Sequence, residues 1–350
     1  MKLTIILILI ITSFIIFNSK VLADNYITLN YYTDKGINLD ELYLEKTIKD
    51  YNLQIGKKHI NLKDGDFLRL LINKDQASSL PMIYFNKKYK YFTGETAISF
   101  ISESVNRKLF IHRLTNKTLI KDFQIGISEA VIAHENINPF YYIPQPYIPY
   151  YLIKKISGIY DQYNYYDDSY IGIDFIYDNN NFMAYGELLV DEYPYQDFAT
   201  NPDKRAHLVG LKIPFKNKYW FNIEYSNVYA GVYEHRFKEN NYKYFDEYLG
   251  HRYGPDTVEY NMEFGIVQNQ YKYIFSFANI KNGPNDMNGV KNVGDGGILL
   301  NEVVSEINEY SIKYQLNKDK QYYEFELKYI DNIYTDNNEF KFDIKAKYKF

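Results

Sequence analysis

The run from Phe340 to Phe350 alternates without a fault. Apolar side chains hold Phe340, Phe342, Ile344, Ala346, Tyr348 and Phe350, while charged ones hold Lys341, Asp343, Lys345, Lys347 and Lys349. A period of two sends the first set to one face of a strand and the second to the other. The length suits a tilted strand crossing a bilayer, with its apolar face on lipid and its polar face on a wet interior. An edge strand of a soluble sheet would explain one such run, but the pattern recurs. It returns at Tyr219, Phe221, Ile223, Tyr225; at Val258, Tyr260, Met262, Phe264, Ile266; at Tyr271, Tyr273, Phe275, Phe277; at Tyr310, Ile312, Tyr314, Leu316; and at Tyr323, Phe325, Leu327, Tyr329.

Less regular strand-like runs cover 26–32, 42–48, 51–59, 68–73, 81–87, 89–101, 108–114, 121–134, 170–178, 182–193 and 205–215. The candidates total 17, and a barrel with both termini on one side needs an even number, so 16 or 18 is expected. Residues 36–48 also admit a short periplasmic helix through Leu39, Leu42, Tyr43 and Ile48. From 135 onward, long connections (135–169, 194–204, 237–257, 283–303) take turns with short ones (179–181, 216–218, 268–270, 317–320). A soluble sandwich has no reason to sort its loops in this way, whereas transmembrane barrels pair tight periplasmic turns with long outer loops. The expected fold is all-β: a transmembrane antiparallel up-and-down β-barrel of 16–18 strands, with long extracellular loops and short periplasmic turns.

At the amino-terminus, Lys2 precedes an apolar run from Leu3 to Phe17 and then Val21-Leu22-Ala23. This reads as a secretory signal, residues 1–23, cleaved after Ala23, leaving 24–350 as one barrel domain. No helical apolar span follows it, so membrane residence requires a closed barrel. The absence of cysteine excludes disulfides, thiolate metal sites and lipid attachment at a cysteine. A net charge of −4 supplies no basic field for nucleic acid. Tyr 40 and Phe 23 in 350 residues is an unusual aromatic load, suited to membrane interfaces and to stacking against sugars.

Several segments, in order, resemble the Wzi family of outer-membrane capsule-assembly proteins. They are Asn52-Leu53-Gln54-Ile55-Gly56-Lys57; Leu70-Leu71-Ile72-Asn73-Lys74-Asp75-Gln76-Ala77; Phe110-Ile111-His112-Arg113-Leu114; and Gln124-Ile125-Gly126-Ile127-Ser128-Glu129-Ala130. Asn138-Pro139-Phe140, the run Tyr185 to Glu192, and Gly250-His251-Arg252-Tyr253-Gly254-Pro255-Asp256 complete the series. The resemblance implies an 18-stranded barrel that binds long-chain surface polysaccharide and helps anchor or assemble capsule. The aromatic-ended last strand resembles the signal read by barrel-assembly machinery. Expected partners are therefore capsular or other surface polysaccharide, outer-membrane lipid and that machinery.

The resemblance also implies polar residues inside the barrel. The candidates are Arg113, Glu129, Glu187, Asp191 and Glu224. Glu187, Leu189 and Asp191 share one strand face, His112 and Arg113 take opposite faces, and Glu129 shares its face with Ile125 and Ile127. Such charges are satisfied only by partners or water, so they either brace the lumen or meet ligand. In the outer loops, Tyr142, Tyr151, Tyr233, His235, Arg236, Tyr248, His251 and Arg252 are the polysaccharide-binding candidates. Rings beside hydrogen-bonding Arg and His suit pyranose faces and their hydroxylated rims, although packing over the barrel mouth would use the same residues. Glu187 and Asp191 are a possible glycosidase pair, and the oxygen-rich loop 282–297 fits no calcium template. The expectation is a non-enzymatic, cofactor-free and metal-free outer-membrane barrel that binds polysaccharide. The alternatives are a general porin, a barrel-embedded hydrolase and a soluble lectin-like sandwich.

Overall fold

The structure, a computed structural model, describes residues 24–32, 36–62, 68–73, 79–102, 106–134, 137, 139–143, 167–191, 204–216, 218–235, 238–284, 303–318, 320–335 and 337–349. The expected leader at 1–23 lies outside the described residues, as does the oxygen-rich loop from residue 285.

The strands are β1 (Asp24–Tyr32), β2 (Gly36–Ile48), β3 (Tyr51–Lys58), β4 (Leu80–Lys88), β5 (Phe92–Ser102), β6 (Arg107–Ile120), β7 (Phe123–Ala133), β8 (Asp168–Asp178), β9 (Met183–Asp191), β10 (Arg205–Phe215) and β11 (Tyr219–Val228). They continue with β12 (Lys243–Tyr244), β13 (Glu247–Tyr248), β14 (Thr257–Gln268), β15 (Tyr271–Asn282), β16 (Ser305–Lys318), β17 (Gln321–Asn332) and β18 (Asn337–Lys349). Among the described residues sixteen of these close into one barrel, and β12 and β13 form a separate hairpin in the loop after β11. Every neighbour in the barrel is antiparallel, and β1 meets β18 with Tyr26 opposite Lys349 and Tyr32 opposite Asp343. Closure leaves no unpaired edge, the condition for a sheet to sit in lipid.

The connections sort by end. At one end successive strands are joined by intervals of two to four residues (49–50, 89–91, 121–122, 179–182, 216–218, 269–270 and 319–320); at the other the intervals include the long 59–79, 134–167, 192–204, 229–256 and 283–304 beside the short 33–35, 103–106 and 333–336. Lys49, Asp122, Asn180, Lys216 and Asn269 take positive φ in those tight turns, as so short a reversal favours. The tight end is the periplasmic one.

The alternation read from the sequence becomes two faces. Ile173, Leu188, Ile223, Met262, Ile312 and Phe342 point outward and are exposed, forming the lipid-facing belt. Glu224, Glu259, Glu309, Lys313 and Lys345 point inward.

Three expectations are corrected. Residues 68–73 are not a strand; they run inside the barrel within the loop between β3 and β4. Removing them turns the 17 candidates into 16 and also replaces the implied count of eighteen. The helix considered for 36–48 is strand β2. A bulge there sets Thr28 opposite Glu41 but Leu29 opposite Leu39. The extra residue, Asp40, breaks the period of two and spaces the apolar residues as a helix would.

Candidate functional site

The lumen divides into an outer half filled with protein and an inner chamber. In the outer half the inward faces of β4 to β10 contribute the apolar Met82, Leu109, Ile111, Ile132, Leu189 and Leu208. Against them pack Leu70, Leu71 and Ile72 from the loop after β3, and Val232, Tyr242 and Leu249 from the loop after β11. Each fully buried aliphatic side chain contributes about 1.5–3 kcal/mol. An apolar core inside a barrel wall explains why 68–73 reads like a strand: its side chains are as dry as a strand's.

Polar contacts hold this plug at fixed heights. Glu187, midway along β9, accepts hydrogen bonds from the main-chain N–H groups of Arg69 (2.9 Å), Leu70 (2.9 Å) and Leu71 (2.7 Å). The Arg69 guanidinium meets Glu224 at 3.1 Å, and the Tyr185 hydroxyl donates to the same carboxylate at 2.9 Å. Higher up, Asp191 accepts the Tyr233 N–H at 2.7 Å, and the Tyr233 hydroxyl donates to the Leu70 carbonyl at 2.7 Å. The Asn73 N–H donates to the Leu249 carbonyl at 2.9 Å, joining the two inward segments directly.

Further round the wall Arg252 bridges Glu259 on β14 (2.5 Å) and Glu309 on β16 (2.6 Å), and the Tyr253 hydroxyl also donates to Glu309. His251 lies 3.0 Å from both Glu259 and the Ser226 hydroxyl. Burial works against the charge on Arg252, but Glu259, Tyr253 and Glu309 outweigh it and hold the guanidinium above the ordinary arginine range. Burial raises the Tyr233 and Tyr242 phenols well above the usual tyrosine value. Burial, followed by the neighbouring Glu234, does the same for Tyr248.

Several predicted residues therefore change role. Tyr233, His235 and His251 are buried and Arg252 is engaged by two carboxylates, so all four brace the plug and offer little open surface to a ligand. Glu187, Asp191 and Glu224 do face inward, as read, and Glu187 and Asp191 both receive main-chain donors. Arg113 is wholly buried in the wall. It pairs in bidentate fashion with Asp174 and donates to Thr115 (3.0 Å) and Ser128 (3.1 Å).

Glu129 corrects the lumen set. It pairs across β6 and β7 with His112, whereas Arg113 pairs with Ser128, so Glu129 takes the outward face with the exposed Ile125. Next along that outward row, Val131 and Ala133 pack with Phe110 beneath Tyr141, in a segment laid against the outer wall. Tyr142, 40 % exposed, is set edge-on to Phe110 on that wall, 5.1 Å between ring centres. Tyr151 and Arg236 lie outside the described residues.

Sequence reasoning missed Arg69, Glu259 and Glu309. The two glutamates alternate with Tyr260 and Tyr310, so the period of two carried their inward direction; nothing local marks Arg69.

The loop after β11 also carries the β12–β13 hairpin, with Lys243 opposite Tyr248 and Tyr244 opposite Glu247. Its base is tied down. Lys243 Nζ sits 4.1 Å above the Tyr248 ring, and the Tyr248 hydroxyl donates to Glu234 at 2.6 Å. Its two-residue turn is Phe245-Asp246. Phe245 has φ +53° and is 78 % exposed, with its ring centre 4.5 Å from that of Tyr244. Positive φ costs a residue with a Cβ about 1–2 kcal/mol, and exposure returns little of it.

Below the plug, toward the tight turns, lies a polar cavity of about 1410 Å³. Lys212, Trp220, Lys272, Lys313, Glu324 and Lys347 are among the residues that line it. Among the described residues no group of three or more His, Cys, Asp or Glu is placed to hold a metal.

This geometry defines a transmembrane β-barrel with a plugged outer half and an open inner chamber. No family model matches the sequence, and no protein of curated function matches it. Solved structures do share the fold. One is Wzi of Escherichia coli, described as an outer-membrane protein involved in group 1 capsule assembly and a carbohydrate-binding β-barrel. It superposes with a TM-score of 0.63 at 11% identity, covering 94% of this chain and 85% of that one. The outer-membrane protein OprD of Pseudomonas aeruginosa superposes at 0.53 with 8% identity, over 95% and 96% of the two chains. OccK10 (OpdN) of the same organism superposes at 0.51 with 6% identity, over 95% and 98%. At these identities the likeness establishes the outer-membrane barrel fold.

Proposed function

We propose that this protein resides in the outer membrane and binds exported surface polysaccharide at its outer face, without cleaving it, in the service of capsule attachment or assembly. The observation that carries the reading is the plug. Apolar packing and buried ion pairs occupy the outer half of the lumen, which disfavours bulk passage and leaves the outer loops as the working surface. The likeness to a carbohydrate-binding barrel supports the same ligand class. Main-chain donors on Glu187 and Asp191 argue for bracing rather than acid–base chemistry at those carboxylates.

The test is equilibrium retention of the source bacterium's own surface polysaccharide by the detergent-purified barrel. Saturable retention with unchanged chain length is expected. Absence of retention would sink the binding reading, and shortening of the chains would sink the non-enzymatic one. A porin is the second reading, favoured by the polar inner chamber of about 1410 Å³.

A further inference from the structure

Phe245 is hard to explain as a folding residue. In a two-residue hairpin turn the positive-φ position favours glycine or asparagine, which adopt that conformation with least strain. Here a bulky ring occupies it at φ +53° and is left 78 % exposed. Neither the backbone nor burial gains from this choice.

The base of the hairpin is closely packed by contrast. Tyr242 is buried, Tyr248 packs 5.9 Å from Tyr233, and Gly254 lies so close to the Tyr248 ring that a Cβ there would fall 2.3 Å from Cε2. Strain held at one position by well-fixed surroundings is the pattern found at ligand clamps. Asp246, next to it in the turn, is exposed, and Tyr244 beneath the ring stands opposite the half-buried Glu247. A flat apolar face with hydrogen-bonding groups beside it matches a pyranose, whose ring face is apolar and whose edge is hydroxylated.

We propose that the β12–β13 hairpin is a saccharide-binding arm, with Phe245 as the ring against which a pyranose unit of the surface polysaccharide stacks, Tyr244 as its support, and Asp246 as a rim contact. The inference rests on the polysaccharide-binding reading above and adds the site.

The experiment compares polysaccharide retention and thermal unfolding for the full-length, detergent-solubilised wild type, Phe245→Gly and Phe245→Trp. Glycine relieves the positive-φ strain while deleting the ring. The expected result is that Phe245→Gly unfolds at the same temperature or higher yet retains polysaccharide roughly tenfold more weakly, the loss ordinary for one stacking ring. Phe245→Trp should bind at least as well as wild type. Retention by Phe245→Gly equal to wild type would overturn the arm while leaving polysaccharide binding standing. Lowered stability of Phe245→Gly with proportionate loss of binding would instead make the ring structural. Failure of the wild type itself to retain polysaccharide would remove the parent reading as well.

Discussion

Glu187 and Leu71 stand 116 positions apart in the chain, and the carboxylate of the first accepts the main-chain N–H of the second at 2.7 Å. One acidic side chain on the barrel wall thereby fixes the backbone of a segment threaded through the lumen. The N–H groups of Arg69 and Leu70 converge on the same carboxylate.

Replacing Glu187 by Ala should therefore loosen the plug before it unfolds the wall. Three N–H groups lose their acceptor, at about 1–3 kcal/mol for each one left buried and unpaired. Amide exchange at residues 69–71 should accelerate while exchange in β14 to β18 stays slow. Uniform acceleration throughout would show that Glu187 does not act on the plug selectively.

Arg252 neutralises two glutamates from different strands. Arg252→Met should cost about 3–5 kcal/mol, because it strands Glu259 and Glu309 without their cation. Adding Glu259→Gln and Glu309→Gln to that variant should recover part of the loss. Denaturant midpoints of the folded barrel in detergent measure both, and an additive triple variant would argue against the bridge.

Stability should fall in alkali. Burial holds the phenols of Tyr233 and Tyr242 above the ordinary tyrosine value, and burial with Glu234 does so for Tyr248. In the unfolded chain these groups ionise near pH 10, so above that pH the folded state binds more protons than the unfolded one. Their contribution is complete below about pH 10 and is lost as pH rises beyond it. Phenolate absorbance should show a set of tyrosines that titrates only on unfolding; full titration of the folded barrel near pH 10 would contradict this.

Trp220 gives a fluorescent view of the inner chamber, being the single tryptophan of the chain. It lies opposite Gly265 in register, and a Cβ added there would come within 2.0 Å of Trp220 Cε2. Gly265→Ala should displace the indole, shift its emission and cost about 1–3 kcal/mol through overpacking. An unchanged spectrum would mean the ring is not seated on Gly265.

How legible the molecule was depended on how local each cause is. In β14 to β18 the two faces differ in solvent, so Tyr260, Met262 and Phe264 alternate with the polar Glu259, Asn261 and Glu263 and the strand declares itself. The sorting of loops by length, visible from residue 135 onward, gave the orientation. Segment 68–73 misled because its apolar side chains meet a dry interior made by Leu109, Ile132 and Leu189, from strands distant in sequence. Nothing local to Arg252 or Tyr233 says that the loop carrying them turns inward instead of facing a ligand; the carboxylates that draw Arg252 in, Glu259 and Glu309, are 7 and 57 residues away. Glu129 shares its strand face with Ile125, and that local signal points outward, against a place in the lumen. In the sequence Phe245 is one aromatic among many; its φ and its exposure set it apart.

Conductance across a planar bilayer holding the purified wild-type barrel tests most directly whether the outer half of the lumen is sealed. The plug held by Glu187, Asp191 and Arg252 predicts no large steady conductance, with current appearing in Glu187→Ala. Large stable channels in the wild type would contradict it and make the protein a porin.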